Sequence, residues 1–408
     1  MEEENGKISQ SRRDEPLPLQ EKTIGGGSEN KAARNVLFDL LRVMAMFFIV
    51  IHHIIIYDMG FMDVQTGMDL SLKTSYMWSA LVDGFVIIGV NIFFLISGWF
   101  SIKLKPQKLF LLFIKVYVYW IIAVLLAMAF KLLSFESFWD GFKFCVSAIG
   151  EYWFVLVYIL LCLIAPALNA LAKLIVDKKA VKYFIFISVF FFCVIGFVAD
   201  YIRPIMGTNS GYSVMWAAVP YLYGRILKLK CNEMKKRKPA FWLGLYLLFT
   251  IVNYSIVALL IWFEQGQYAW HFYGYNNPLV FLQSICFFMA FVSAKPVSSQ
   301  KPSKFISLVA GHTFGVYLLH TKNPLFSPYT AYFVNAVGPI WAKLLLLIPN
   351  AILAFAIAVL IDYLYELLFG KLLKRFTTWL ERIIFGKSKI LEKLNCQPDQ
   401  NDDTKKSQ

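Results

Sequence analysis

Charge is scarce in this sequence. Of 408 residues only 16% are Asp, Glu, Lys or Arg, against 58% hydrophobic and 17% aromatic. A water-soluble domain carries about 25% charged residues, so that class is excluded. Paired cysteines are lacking as well. The six cysteines (Cys145, Cys162, Cys193, Cys231, Cys286 and Cys396) are scattered with no Cys-x-x-Cys, so neither a disulfide framework nor a metal site is expected. The apolar runs do not alternate with polar residues, which argues against a barrel of membrane strands. No cleavable signal peptide is expected at "MEEENGKISQSRRDEPLPLQ", which is polar and mixed in charge. Arg12-Arg13 is followed by Asp-Glu-Pro, not by the apolar stretch of a twin-arginine export signal.

What remains is a series of apolar runs long enough to cross hydrocarbon, which takes about 20 helical residues. The fold class expected is all-α, a polytopic membrane protein with about ten transmembrane helices in the lipid bilayer. They are placed at about 36–57, 80–100, 109–130, 150–171, 181–199, 212–229, 241–263, 278–294, 305–321 and 341–368. Residues 1–33, with Pro, Gly-Gly-Gly-Ser and many charges, read as a disordered cytoplasmic tail. Residues 34–368 form the membrane domain and 369–408 a basic cytoplasmic tail.

The net charge of +14 would suit a nucleic-acid partner. The cations, however, lie in short loops and tails, so no nucleic acid is expected. Lys103, Lys105 and Lys108 fill the second loop, Lys173, Lys178, Lys179 and Lys182 the fourth, "RILKLKCNEMKKRK" the sixth, and Lys295, Lys301 and Lys304 the eighth. The odd loops hold only Lys73, then Lys131 and Lys143, then Arg203, none, and Lys322. By the positive-inside rule both termini face the cytoplasm.

"RVMAMFFIVIHH" places a cation and two histidines in the first span. Eleven helical residues return to within about 20° of one face and rise about 16 Å, so Arg42 and His53 share a face while His52 points about 100° away. Asp39, one turn before Arg42, is its natural ion partner. Asp39 and Arg42 alone would pass as an interfacial anchor. His53 lies deeper, and divides evenly between a site role and a packing hydrogen bond. Asp83, Glu151 and His320 fall near outer helix ends, where contact with water is the simpler reading for the two acids. Asn91 lies mid-span, with Ser97 and Arg225 toward the inner side. His271 sits in an aromatic outer loop, "YAWHFYGYNN", which suits an interfacial belt or a sugar-stacking surface. His312 reads as structural.

Several stretches together resemble the acyltransferase 3 family of membrane O-acyltransferases. "FDLLRVMAMFFIVIHH" is similar to its first helix, in which an aspartate, an arginine three residues on and a histidine after ten more residues match Asp39, Arg42 and His53. "GVNIFFLISGWF", "EYWFVLVYILLCLIAPAL" and "TFGVYLLH" resemble its later motifs in the expected order, over roughly residues 34–368. The resemblance implies transfer of an acyl group, usually acetyl, from acetyl-CoA or another acyl-CoA to a hydroxyl of a cell-surface glycan or lipid-linked sugar. It implies no bound cofactor, a bacterial cytoplasmic membrane, and Arg42 and His53 as the essential pair. Asp39, Glu151, His320 and Ser97 are weaker supporting candidates. One departure stands out: members of the family often carry Arg-x-x-Arg near the third helix, where "KPQKLFLLFIKVYVYW" offers Lys108 and Lys115 instead. Lysine lacks arginine's bidentate fork. The competing reading is a multi-span transporter or lipid-linked sugar flippase, and a scaffold is the third.

Overall fold

The computed structural model describes residues 35–59, 67–202, 207–230, 237–295, 300–320 and 339–386. The tail expected at 1–33 and residues 387–408 of the tail expected at 369–408 lie outside the described residues, and with them Arg203, Cys231, Lys322 and Cys396. Helices account for nearly all of the rest, and no strand occurs among the described residues.

α1 (Val36–His53) starts on Asn35, whose side chain accepts a hydrogen bond from the Leu37 N–H, and its last turn widens into a π-helix at Ile54–Asp58. α2 (Leu70–Val86) and α3 (Gly89–Phe100) form one apolar rod, broken by a turn at Ile87 and Ile88. α4 (Pro106–Ala129) follows, with proline at the first helical position, where its missing N–H costs nothing. The short α5 (Phe138–Val146) and α6 (Ala148–Glu151) lead into α7 (Trp153–Asp177). α8 (Val181–Ser188) and α9 (Gly196–Ile202) are joined by a π-helical stretch. Next come α10 (Val214–Leu229), α11 (Pro239–Trp262), α12 (Gly266–His271), α13 (Pro278–Ser293), α14 (Gln300–Gly311) and α15 (Thr313–His320). α16 (Ile340–Phe385) has 46 residues, about 69 Å at 1.5 Å each, more than twice a hydrocarbon core.

A helix lies at each of the ten expected positions. Seven helical segments among the described residues are long and apolar enough to cross a membrane. α10, α13 and the α14–α15 pair are shorter. α16 continues through the expected boundary at 368 and 369 without a break. Exposed apolar side chains such as Leu125, Phe186 and Leu259 line these helices, the outward face hydrocarbon requires.

Packing is closest where α3 meets α10. A Cβ on Gly98 would strike the backbone of Tyr221, and one on Gly224 the backbone of Leu95. Only glycine at both crossing points lets the two helices approach so far. A second tie joins α4, α14–α15 and α16. Lys115 Nζ meets Asp362 at 2.7 Å and Glu366 at 2.8 Å, Tyr119 donates to Asp362 at 2.6 Å, and His312 Nδ1 lies 2.8 Å from the other Asp362 oxygen. Burying Lys115 without Asp362 would strand a charge, so these helices are held in one register. Off the spans, Gly67 N–H and Lys73 hold the Glu264 carboxylate below its ordinary range. Replacing Gly224 by Ala should separate α3 from α10 and cost about 1–3 kcal/mol. A clear fall in the unfolding temperature of the detergent-solubilised protein would register it.

Candidate active site

α1 carries four ionisable side chains, and each meets a different element. Asp39 is fully buried and takes Arg42 Nη1 at 2.8 Å and the Ser307 hydroxyl of α14 at 2.7 Å. The Arg42 guanidinium also lies 5.1 Å from the Phe100 ring centre, so it is held between a carboxylate and an aromatic face. The i, i+3 pairing expected from sequence is present.

Toward the other end of α1, His53 Nδ1 lies 2.9 Å from His320 Nε2, and the rings stack at 5.0 Å and 20°. His320 Nδ1 is 2.6 Å from the Val316 carbonyl one turn back. A carbonyl only accepts, so His320 Nδ1 carries the hydrogen. In the neutral ring its Nε2 is then the acceptor, and His53 Nδ1–H donates to it. The chain of donors leaves Nε2 of His53 with the lone pair, the state a base or nucleophile needs. His320, a supporting candidate 267 residues away in sequence, therefore orients the primary one.

A cavity of about 630 Å³ opens beside Arg42. Its mouth carries Lys103, Lys105 and Lys108, its walls include Ser97 and Tyr158, and its inner end reaches Phe93, Phe154 and Tyr317. The Tyr317 ring stands 6.2 Å from that of His320. The cavity thus runs from four cations to the neighbour of the histidine pair. His53 and His320 stand behind Tyr317 and do not line it. Glu151, half-buried at the end of α6, lies outside the lining too. Its neighbour Tyr152 reaches the site region, donating to the Leu318 carbonyl at 2.8 Å.

The two lysines that replace the arginine pair part company. Lys108 lines the cavity, whereas Lys115 is committed to Asp362 and Glu366. One expectation changes. Asp83 is not an interfacial acid: it is fully buried, and His52 lies 2.6 Å from it. His271 Nε2 lies 2.7 Å from the Phe197 carbonyl, its ring stacked on that of Phe197.

Comparison with family models places residues 35–363 in one family, described as an acyltransferase domain. The chain belongs to the acyltransferase 3 family. The match covers every element from α1 into α16, so this membrane protein is an acyltransferase. No curated protein and no solved structure matches significantly.

One device of this acyltransferase has no sequence signature. Ser101 is left-handed (φ 56°) at the end of α3 and turns the chain into the lysine-bearing linker. Tyr221 on α10 then holds that linker. Its hydroxyl accepts from the Ile102 N–H at 3.1 Å and donates to Asn169 at 2.8 Å, while Asn169 donates to the Ile102 carbonyl at 3.3 Å. Tyr221→Phe removes this anchor, worth about 1 kcal/mol. It should lower the unfolding temperature of the detergent-solubilised protein by a few degrees, read in a thermal melt beside wild type.

Proposed function

We propose that this acyltransferase moves an acetyl group from acetyl-CoA to a hydroxyl of a cell-surface glycan or envelope precursor in a bacterial cytoplasmic membrane. The observation that carries the reading is the cavity: cations at the mouth and an apolar throat ending beside a tautomer-fixed histidine pair. Coenzyme A is built in the matching order, with phosphates at one end and an uncharged thioester at the other. About 630 Å³ is in the range of sites for molecules of this class.

In this reading the chain has ten spans with both termini in the cytoplasm, which puts the lysine mouth on the side where acyl-CoA is made. Arg42 and Lys108 hold donor phosphate or the thioester oxygen. His53 engages the transfer through Nε2, either taking the proton of the attacking hydroxyl or carrying the acyl group itself. Asp39 keeps Arg42 in place, and His320 keeps His53 in its tautomer. Ser97 and Glu151 remain lesser candidates, Ser97 as a cavity hydroxyl and Glu151 near the acceptor side.

The test uses membranes carrying wild type or His53→Ala at matched expression, supplied with acetyl-CoA labelled in the acetyl group. Label should enter alkali-labile esters on envelope glycan with wild type. With His53→Ala it should fall about 10²–10⁴-fold, the range for loss of a general base. Equal labelling would remove His53 from the chemistry. No labelling with either protein would sink the glycan O-acetylation reading and turn attention to transport.

A further inference from the structure

His52 follows from one rotation of α1. Facing about 100° away from His53, it meets not lipid but Asp83 of α2, with Nδ1 and Oδ1 2.6 Å apart. His52 is 2% exposed and Asp83 fully buried. A carboxylate accepts, so Nδ1 carries the hydrogen and Nε2 is the lone-pair atom, the same tautomer that His320 imposes on His53. Two polar atoms of this pair, His52 Nε2 and Asp83 Oδ2, are buried and have no hydrogen-bond partner. Such atoms are costly to retain without a use.

The two histidines differ in what stands behind them. His53 donates to a neutral ring, whereas His52 donates to a carboxylate. When a histidine takes a proton at Nε2 the new charge is stabilised by what its Nδ1–H touches, and a carboxylate does this far better than an imidazole. The ring centres of His52 and His53 are 5.6 Å apart, so the two imidazoles stand side by side at the end of α1. Trp270 lies parallel to His52 at 6.3 Å and 6°, giving an approaching sugar an apolar face to rest on.

We propose that His52 and Asp83 are a second catalytic dyad, the base for the acceptor hydroxyl, with His53 left to engage the acyl group. This deepens the acyl-transfer reading and rests on it. The acceptor oxygen attacks the acyl carbon and its proton passes to His52 Nε2. The bond from that carbon to its carrier, the thioester sulfur or the His53 nitrogen, breaks, and the carrier leaves with the electron pair. The proton on His52 neutralises a departing thiolate; a departing His53 nitrogen leaves as the neutral imidazole, and the proton passes from His52 to water.

A nucleophile that needs no base separates this role from a structural one. Membranes carrying wild type, Asp83→Asn or His53→Ala are given labelled acetyl-CoA, with either envelope glycan or hydroxylamine as acceptor, above the uncatalysed background. Asp83→Asn should lose glycan transfer by at least about 100-fold while keeping hydroxylamine acetylation within about threefold and donor binding unchanged. His53→Ala should lose both. If Asp83→Asn does not fold, His52→Gln carries the same comparison. An equal fall with both acceptors makes the pair a structural tie and overturns the proposal, as does undiminished glycan transfer. A wild type that labels neither acceptor overturns the acyl-transfer reading instead.

Discussion

A charge in the interior of a membrane protein must be paired or it costs several kcal/mol, and α1 places four ionisable side chains there. Their partners decide the arrangement of the bundle. Asp39 draws in Ser307 of α14, Arg42 rests on Phe100 of α3, His52 reaches Asp83 of α2, and His53 reaches His320 of α15. Apolar packing would tolerate many rotations of α1 about its axis, because lipid and protein interiors are equally apolar. The four polar contacts tolerate only one. The same contacts that make α1 affordable to bury are those that orient its functional groups.

A second polar centre performs the same service for α15. Asp362 of α16 gathers Lys115 and Tyr119 of α4 and His312 at the junction of α14 and α15. Gly315 lies so close to Asp362 that a Cβ there would strike the carboxylate. α15 is only eight residues long and could not hold its own position by length. Anchored at its start by His312 and at its end by His320, it delivers a histidine to α1 with the tautomer already set by Val316.

Helical periodicity made Arg42 and His53 legible, because their spacing is a property of one helix. The Asp39–Arg42 pair was legible for the same reason. His52 was not. Its direction followed from the 100° step, but its partner lies 31 residues on, across a turn and on another helix. Depth along α2 placed Asp83 near the interface, and depth alone does not report whether protein or water covers that level. Lys108 and Lys115 show the same limit: two lysines on one helix, seven residues apart, look alike until α16 supplies acids to one of them. The break at Ile87 and Ile88 has no proline to announce it, and Gly89 just after it serves close packing against α1 as well. Length and hydropathy located the helices, but α10, α13 and α15 are shorter than the runs expected there, and apolar composition alone does not set helix length.

The distance between the cavity's end and the histidines has a chemical consequence for an acyl-transfer enzyme. A thioester and a base in contact with bulk water would lose the acyl group to hydrolysis, because water is the more abundant nucleophile. Here aromatic rings crowd the cavity and the histidines. Tyr317 and Phe154 line the cavity with their rings edge-on at 5.6 Å, and Tyr152 packs against Tyr317 at 5.8 Å. On the far side Trp270 and Tyr275 lie against His52. Excluding water also strengthens every charge interaction inside, so the carboxylate of Asp83 acts on His52 with little screening.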